Sequence, residues 1–276
     1  MIDLHVHSTA SDGTLRPAEI ARMGADCLAL ALTDHDTLAG AAEFLAEPDC
    51  RAIRLAGVEL SVASDPGYGH FHLLGLGVDP ADPVLCALLE KAARGRDCRN
   101  PAIVAKLRAL GVDVTMDDVA AESTGGMVAR PHIARALVRK GFAASVQDAF
   151  RRYLAADAPA YVPRWRPPPA DAFAAVHAAG GAAVMAHPRL WTSDPAALRS
   201  GLAKLKDEGL DGLEVFYSAN TVDETRMHIA AARDLGLAMT AGSDFHGDNK
   251  PGVRFGMDVP DEKAFIAPLL ERLGKK

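Results

Sequence analysis

The chain opens on the sequence IDLHVHS, residues 2–8, in which polar side chains interrupt an apolar run. Such a short, apolar run is typical of a strand. Side chains two positions apart in a strand point to the same face, so His5 and His7 share a direction. The stretch therefore predicts a first strand that presents two imidazoles to one side of a sheet.

Further short apolar runs alternate with helical patterns along most of the chain. Strands are predicted over residues 2–8, 27–36, 52–62, 71–79, 182–188, 212–218 and 237–246. Repeated strand–helix units are typical of parallel strands with outer helices, and six or seven such strands fit a barrel. We therefore expect an α/β barrel whose active site lies at the carboxyl ends of the strands.

The rhythm changes between residues 83 and 161, where helical segments follow one another without a strand. The first two segments, 83–99 and 101–111, are separated at Pro101. We expect residues 83–161 to form an inserted helical subdomain that covers the active site, and residues 1–82 and 162–276 to form the barrel. The proline-rich stretch 162–169 is expected to be a stiff return to the barrel.

The composition excludes several classes of function. A net charge of −6 argues against general affinity for duplex nucleic acid, which requires a large basic surface. The four cysteines form no CxxC pair, which is typical of buried thiols in a reducing compartment. No apolar run reaches the ~18 residues of a membrane span, and no secretory signal precedes Asp3. A cytoplasmic protein that does not enter a membrane is expected.

The polar residues at the predicted strand ends are of the types that bind metals. They are His5, His7, Asp12, His35, Glu59, His72, His187, Asp244 and His246. Imidazole and carboxylate ligands without a thiolate favour Mn, Fe or Zn. Nine ligands are too many for one ion, so two or three divalent ions are expected. Clustered divalent ions usually serve hydrolysis, since they activate water and orient a phosphoryl group.

In chain order the motifs DLHVHS, SDGT, TDHD, GVELS, HLLG, AHP and GSDFH resemble the motif series of the PHP (polymerase and histidinol phosphatase) family. The ordered set spans residues 3–246, and it is far more specific than any single motif. The resemblance implies a distorted (β/α)7 barrel that holds up to three divalent ions, with Mn favoured.

The resemblance also implies how the ligands are divided. One ion would be surrounded by His5, His7, Glu59 and Asp244, which would hold a metal-bridging hydroxide as the catalytic nucleophile. Asp12, His35 and His246 would bind a second ion, and Glu59 would bridge to a third ion at His72 and His187. The family ligand precedes an apolar-apolar-Gly stretch, which favours His72 over His70. His70 would then lie in a loop or outside the ligand shell.

The segment VARPHIARALVRKG, residues 128–141, is a candidate phosphate-binding site. Pro131 suits the first turn of a helix, whose N–H groups favour anions, and Arg130 and His132 add donors. The alternative is an ordinary capped helix with an exposed arginine. The segment also resembles the R-x-H segment of a PHP subgroup of nucleotide phosphatases and 5′-to-3′ exoribonucleases.

Several other residues receive weaker assignments. Tyr217, Ser218 and Asn220 follow a predicted strand and are expected to face the substrate. Asp34 and Asp36 flank a ligand and are expected to orient histidines. The stretch Arg164-Trp165-Arg166 leaves two interpretations open, a rigid linker with a packed tryptophan or a contact with a base or second phosphate.

These observations predict a metal-dependent phosphoesterase that acts on a small phosphorylated nucleotide, most favourably a 3′,5′-nucleoside bisphosphate, or on short single-stranded RNA. A histidinol-phosphate phosphatase of the same family is the alternative enzyme. A catalytically silent PHP domain is the alternative of another class, although such domains usually lose ligands. No obligate protein partner is expected.

Overall fold

The structure is a computed structural model that describes residues 1–48, 50–63, 71–123 and 128–274. The chain folds into two compact units. Met1–Leu89 and Pro167–Lys276 form the barrel unit, and Glu90–Arg166 form the helical unit. Within the described ranges, no helix is long and apolar enough to cross a membrane.

The barrel unit contains all seven strands that the sequence predicts. They are β1 (Ile2–Val6), β2 (Ala29–Leu32), β3 (Ile53–Val62), β4 (Phe71–Leu76), β5 (Ala182–Ala186), β6 (Gly212–Tyr217) and β7 (Ala238–Gly242). Each strand is hydrogen-bonded to its neighbours in sequence order. The predicted α/β barrel is confirmed.

One strand runs against the others. β4 pairs antiparallel with both β3 and β5, whereas the remaining pairs are parallel. The expectation of purely parallel strands is therefore wrong for β4. A parallel crossover needs a dozen or more residues, and the link 63–70 between β3 and β4 is shorter.

The sheet curves until its first and last strands meet. The backbone N–H of His7 donates to the carbonyl of Phe245 at 3.0 Å, and that of Asp244 donates to the carbonyl of His5 at 2.8 Å. Val6 forms a parallel bridge with Phe245 just beyond the end of β7. The result is a nearly closed, distorted barrel.

The helices follow in chain order. They are α1 (Pro17–Met23), α2 (Ala41–Ala46), α3 (Pro83–Ala109), α4 (Met116–Ala120), α5 (Arg130–Arg139), α6 (Val146–Ala149), α7 (Pro169–Ala178), α8 (Pro195–Glu208), α9 (Val222–Leu235) and α10 (Glu262–Arg272). In the barrel unit, buried side chains such as Phe173 and Leu202 pack the helices against the sheet. Apolar burial of this kind is the main stabilising contribution to such a fold.

The helical unit has its own core, which includes Ile103, Leu107, Ile133 and Leu137. α3 continues through Pro101, so the predicted division at that residue is wrong. Proline removes only one helical hydrogen bond, and the buried side chains just beyond it hold the helix together by packing. A π-helical segment, Phe150–Leu154, continues α6.

Candidate metal centre

The structure brings the nine predicted ligands together at one end of the barrel. Most of them lie at or just after the carboxyl ends of parallel strands, but His72 is the second residue of β4. Because β4 is antiparallel, its first residues lie beside the last residues of its neighbours. His72 accordingly pairs with Ser61 on β3 and with Ala186 on β5, next to His187.

Glu59 is the central residue of the site, and its side chain is 1% exposed. Its Oε2 lies 3.3 Å from Nε2 of His5, 3.2 Å from Nε2 of His7 and 2.9 Å from Nδ1 of His35. Its Oε1 lies 2.6 Å from Nδ1 of His72 and 3.0 Å from Nε2 of His187. One carboxylate thus contacts five imidazoles from four parts of the chain, because His5 and His7 belong to the same stretch.

Two aspartates complete the acidic part of the site. Oδ1 of Asp244 lies 3.3 Å from Nε2 of His7 and 3.4 Å from Nδ1 of His246. Oδ1 of Asp12 lies 3.3 Å from Nε2 of His246, and its Oδ2 lies 3.8 Å from Nε2 of His35. The imidazoles therefore stand between three carboxylates, as ligands around several cations would.

The ligand atoms fall into overlapping sets within which every pair lies within 4.8 Å. These sets are His5, His7, Glu59 and Asp244; His7, Asp12, His35 and His246; and His35, Glu59 and His72. The first set has the same members as the set implied by the family resemblance. The second set contains His7, which it shares with the first set, in addition to the implied Asp12, His35 and His246. The third set shares His35 with the second. His187 is not a member of the third set, but it contacts Glu59 of that set.

The unpaired atoms in this site fit divalent cations. Nε2 of His5, both ring nitrogens of His7 and Oε2 of Glu59 are buried, and none has a hydrogen-bond partner among the described residues. Buried polar atoms are otherwise almost always hydrogen-bonded, and leaving them unpaired costs free energy. Lone pairs of imidazole and carboxylate that face one another in this way are the donor set of Mn, Fe or Zn.

The carboxylates are ionised in this environment. Burial raises the pKa of Glu59, but His35, His72 and His5 lower it well below its usual range. Burial likewise opposes ionisation of Asp244, yet its pKa is well below the ordinary value because His5 and other cationic groups lie close to it. Anionic oxygens are the form that binds a metal ion.

Glu214 is an acidic residue of the site that the sequence analysis did not identify. It is fully buried, its Oε1 lies 2.9 Å from Nδ1 of His5, and its Oε2 accepts from the backbone N–H of His187 at 2.6 Å. Because the Glu214 carboxylate accepts a hydrogen bond from Nδ1–H of His5, the lone pair of Nε2 is left to face the centre. A glutamate inside the otherwise apolar run GLEVFY was the available signal.

Backbone strain is concentrated at the site. Among the described non-glycine residues, those with a positive φ are Asp36 (50°), His187 (30°), Asp244 (58°) and Asp261 (44°). Three of the four are predicted ligands or their neighbours. Such strain is typical of functional sites, where the surrounding structure imposes the conformation.

The predicted orienting aspartates contact loops and strands. Asp34 accepts from the backbone N–H of Ser8 at 2.8 Å, from the hydroxyl of Ser8 at 2.7 Å and from the hydroxyl of Ser11. It thereby fixes the loop that carries Asp12. Asp36 accepts from the backbone N–H of Ser61 at 3.0 Å. His70 lies outside the described residues.

The residues at the end of β6 and just after it divide into two groups. The hydroxyl of Tyr217 donates to Oδ2 of Asp244 at 3.1 Å, so Tyr217 contacts the centre directly. Lys250, which the sequence analysis did not identify, donates to the same oxygen at 2.6 Å. Ser218 is exposed in a turn, whereas Asn220 donates to the carbonyl of Val215 and has a structural role.

A small cavity of about 140 Å³ opens beside His72 and His187. Its other walls include Phe71, Leu190 and Trp191, so it is lined mainly by apolar and aromatic surface. The site therefore joins a polar centre to an apolar recess.

In the helical unit, α5 begins at Arg130, so Pro131 lies in its first turn as the sequence predicts. Nη1 of Arg130 donates to the carbonyl of Leu154 at 3.3 Å. His132 is buried, and its Nδ1 accepts from the backbone N–H of Ala129 at 2.8 Å, which caps the helix. The pKa of Arg130 is lowered by burial and by the nearby charges of Arg166 and Arg164.

The chain resembles proteins of known activity over most of its length. It is 36% identical over 255 residues to the 3′,5′-nucleoside bisphosphate phosphatase of Chromobacterium violaceum, which covers 91% of this chain and 89% of that protein. It is 36% identical over 248 residues to the 5′-3′ exoribonuclease of Haemophilus influenzae, which covers 88% and 89% of the respective chains.

The same likeness holds in three dimensions. A solved structure from Bifidobacterium adolescentis, described as a metal-dependent phosphoesterase, superposes with a TM-score of 0.85 and 31% identity over 98% of this chain and 96% of that one. No family model matches the chain. The identities, the coverage and the cluster of histidines and carboxylates lead to one conclusion: the chain belongs to the PHP family of metal-dependent phosphoesterases, with the 3′,5′-nucleoside bisphosphate phosphatases and 5′-3′ exoribonucleases.

Proposed function

We propose that the protein hydrolyses a phosphate monoester of a nucleotide, and that its substrate is a 3′,5′-nucleoside bisphosphate or the 5′ end of a short RNA. The names of the two relatives support this choice of substrate. The reaction class is carried by one observation, the buried and unpaired donor atoms of His5, His7 and Glu59.

The residues around Glu59 are suited to hold two or three divalent ions, and we propose Mn first, with Zn or Fe as alternatives. Such ions, when bound, activate water and neutralise charge on phosphoryl oxygens. The protein supplies anionic oxygens from Glu59, Asp12 and Asp244. Tyr217 and Lys250 hold the Asp244 carboxylate in place through its Oδ2.

We assign recognition of the phosphate to Arg130 and His132, with Ser218 and Tyr217 as further contacts of the substrate. A guanidinium carries five N–H donors in a fork that matches a phosphate, and one of those of Arg130 donates to Leu154. Because Nδ1 of His132 accepts from Ala129, its proton resides on Nε2, which makes that atom a donor.

Four free cysteines support a reducing location, so we propose that the protein acts in the cytoplasm on a small phosphorylated ligand. The catalytically silent alternative is disfavoured by the convergence of all nine ligands. The histidinol-phosphate alternative is left to the substrate test.

The test measures phosphate release from a 3′,5′-nucleoside bisphosphate, a 5′-mononucleotide, histidinol phosphate and a short 5′-phosphorylated RNA, each with Mn. We expect the bisphosphate or the RNA to give the highest kcat/KM. Glu59→Gln should abolish release. Preference for histidinol phosphate would overturn the substrate proposal. If folded, metal-loaded protein released phosphate from none of these compounds, the proposal that the protein is a phosphoesterase would be overturned.

A further inference from the structure

The turn that carries His187 departs from ordinary backbone geometry. His187 follows the last residue of β5 with a φ of 30° and a ψ of 62°, which is the left-handed region, and Pro188–Leu190 then form one turn of 3-10 helix. A non-glycine residue in this region is strained, and the conformation persists only where surrounding contacts impose it. The residues on either side of His187 therefore have to supply such contacts.

Arg189 joins this turn to the loop that follows β6. Its Nε donates to Oε1 of Glu224 at 3.2 Å, and its Nη1 donates to the carbonyl of Ala219. The two acceptors lie 35 and 30 residues further along the chain. The side chains of Arg189 and Glu224 are only 30% and 20% exposed, so both are partly shielded from water. Because the donors of a guanidinium lie in one rigid plane, two acceptors fix its direction as well as its distance.

Glu224 is itself held in place by Thr221. Its Oε2 accepts from the backbone N–H of Thr221 at 2.7 Å and from the hydroxyl of Thr221 at 2.9 Å, and that hydroxyl accepts from the N–H of Glu224 at 3.2 Å. This reciprocal arrangement is the capping box at the start of α9. The hydrogen bonds from Thr221 and the charge of Arg189 lower the pKa of Glu224, so the carboxylate is anionic at neutral pH. Arg189 thus pairs with an anion that the start of α9 already fixes.

Glu214 and Arg189 act on opposite sides of His187. Oε2 of Glu214 accepts from the backbone N–H of His187 at 2.6 Å, which fixes the chain before the imidazole. Pro188 has no N–H group with which to anchor the chain after it. The N–H of Leu190 donates to the carbonyl of His187 at 2.9 Å, which is a contact within the turn itself. Arg189 supplies the polar attachment of the turn to a neighbouring element.

The position of the turn matters to the metal centre. Nε2 of His187 lies 3.0 Å from Oε1 of Glu59, and its ring centroid lies 5.1 Å from that of His72. The ring of Tyr217, whose hydroxyl donates to Asp244, lies 5.5 Å from the ring of His187 between centroids. A shift of the turn would therefore move the imidazole away from the other groups of the centre.

We propose that Arg189 is a positioning residue of the metal centre, which holds His187 through Glu224 in the conformation that binds a divalent ion together with His72. The inference rests on the proposed function for the presence of the ions, and it concerns one of the two or three. Without Arg189, the backbone of His187 relaxes towards the extended conformation that a residue before proline favours. Its imidazole then leaves the centre, while the ions at the other ligands stay bound.

The experiment titrates the full chain with Mn by calorimetry, after a chelator has removed metals and has itself been dialysed away, and it counts bound Mn by metal analysis. His187→Ala removes the ligand itself and should lose one Mn per chain. Arg189→Gln should weaken the same binding step by roughly 10–100-fold, as for other groups that orient metal ligands, and should leave the other steps unchanged. Arg189→Lys keeps the charge but not the planar fork, and it should recover part of the affinity.

Arg199→Gln is the matched control, because it removes another arginine–carboxylate pair, the one with Asp234 that joins α8 to α9. It should bind Mn as the unchanged protein does. A double variant, His187→Ala with Arg189→Gln, should bind Mn no more weakly than His187→Ala alone, because Arg189 acts through His187. If Arg189→Gln fails to fold, Glu224→Gln removes the charge of the partner at constant size and should weaken the same step.

Three results would overturn the role of Arg189: Mn binding by Arg189→Gln equal to that of the unchanged protein, even with a lower Tm; no loss of Mn in His187→Ala; or equal weakening by Arg189→Gln with and without His187. Absence of Mn binding by the unchanged protein would overturn this role and the metal centre together. Because phosphate release is not measured, a protein that binds Mn but hydrolyses no nucleotide would refute the proposed function and leave this test intact.

Discussion

At the scale of the residue, Glu59 organises the site. Its two carboxylate oxygens contact five imidazoles, and one of these oxygens is buried without a hydrogen bond. A single acidic side chain can serve several cations only if its neighbours hold it and the histidines in place. Glu214 provides part of that support from behind His5.

The role of Glu214 is testable by substitution. Glu214→Gln preserves the size of the side chain but removes the charge that holds the Nδ1 proton of His5. We expect Mn binding to weaken by roughly 10–100-fold, as for other groups that orient metal ligands. Calorimetric titration with Mn gives the affinity. Glu208→Gln, at an exposed position of α8, is the control, and equal affinities in the two variants would contradict the role.

At the scale of the element, the direction of β4 and the closeness of β7 to β1 determine which side chains reach the site. β4 brings His72 to the common end because it runs antiparallel. β7 approaches β1 at Gly242, where a Cβ atom would lie 2.3 Å from Cβ of His5 and 2.4 Å from Oε1 of Glu214. A glycine is therefore required where these two strands meet.

Gly242→Ala is expected to disturb both the barrel and the ligand set, because neither backbone nor buried glutamate can move away easily. Overpacking of this kind costs about 1–3 kcal/mol. Differential scanning calorimetry should show a lower Tm, and metal analysis a reduced Mn content. Gly95→Ala is the matched control, since its Cβ finds ordinary contacts and a helical alanine stabilises by about 0.5–1 kcal/mol. Full Mn content in Gly242→Ala would contradict the prediction.

Helix α9 contains a buried histidine whose titration affects stability. Burial lowers the pKa of His228 to about 4, and Nδ1 lies 3.3 Å from the amide nitrogen of Asn220, which donates to it. The unfolded chain protonates this imidazole below about 6.5, whereas the folded chain stays neutral until about 4. The contribution of the neutral His228 to the free energy of unfolding is therefore fully present above pH 6.5 and is lost as the pH falls towards 4.

The contribution is measured as the change in Tm between pH 7.5 and pH 5, with Mn present. We expect a smaller decrease in His228→Gln than in the unchanged protein, since the variant has no proton to take up at this position. Equal decreases in the two proteins would refute the role of His228.

At the scale of the whole molecule, the barrel gathers acids and imidazoles from seven strands into one buried site. Without cations, this arrangement leaves polar atoms of His5, His7 and Glu59 unpaired. The folded protein therefore contains buried polar atoms that lack hydrogen bonds. Because a bound metal ion would pair with these atoms, we expect metal binding to stabilise the folded state.

Metal removal should accordingly destabilise the protein. At a free Mn concentration 100 times its Kd, binding to the folded state alone adds about 2.7 kcal/mol per site. A chelator should lower Tm, and added Mn should restore it. Glu59→Gln should respond much less to either treatment. A Tm of the unchanged protein that is independent of both chelator and Mn would contradict this coupling.

Much of the fold and of the ligand set followed from the sequence. Alternation of apolar runs with helical patterns predicted the seven strands, and the i, i+2 spacing of His5 and His7 predicted a shared direction, because these features depend on local geometry. The helix boundary at Pro101 and the parallel direction of β4 were predicted wrongly. Packing decided the first, and the length of a connection decided the second.

The sequence by itself determined the chemical types of the ligands, their positions at strand ends and the family resemblance. Only the tertiary structure decided that five histidines meet at Glu59 and that Glu214 holds His5 in place. Local patterns specify which way a side chain leaves its own strand or helix. Contacts between residues as distant as Glu59 and His187 depend on how the whole barrel closes, which no short stretch of sequence encodes.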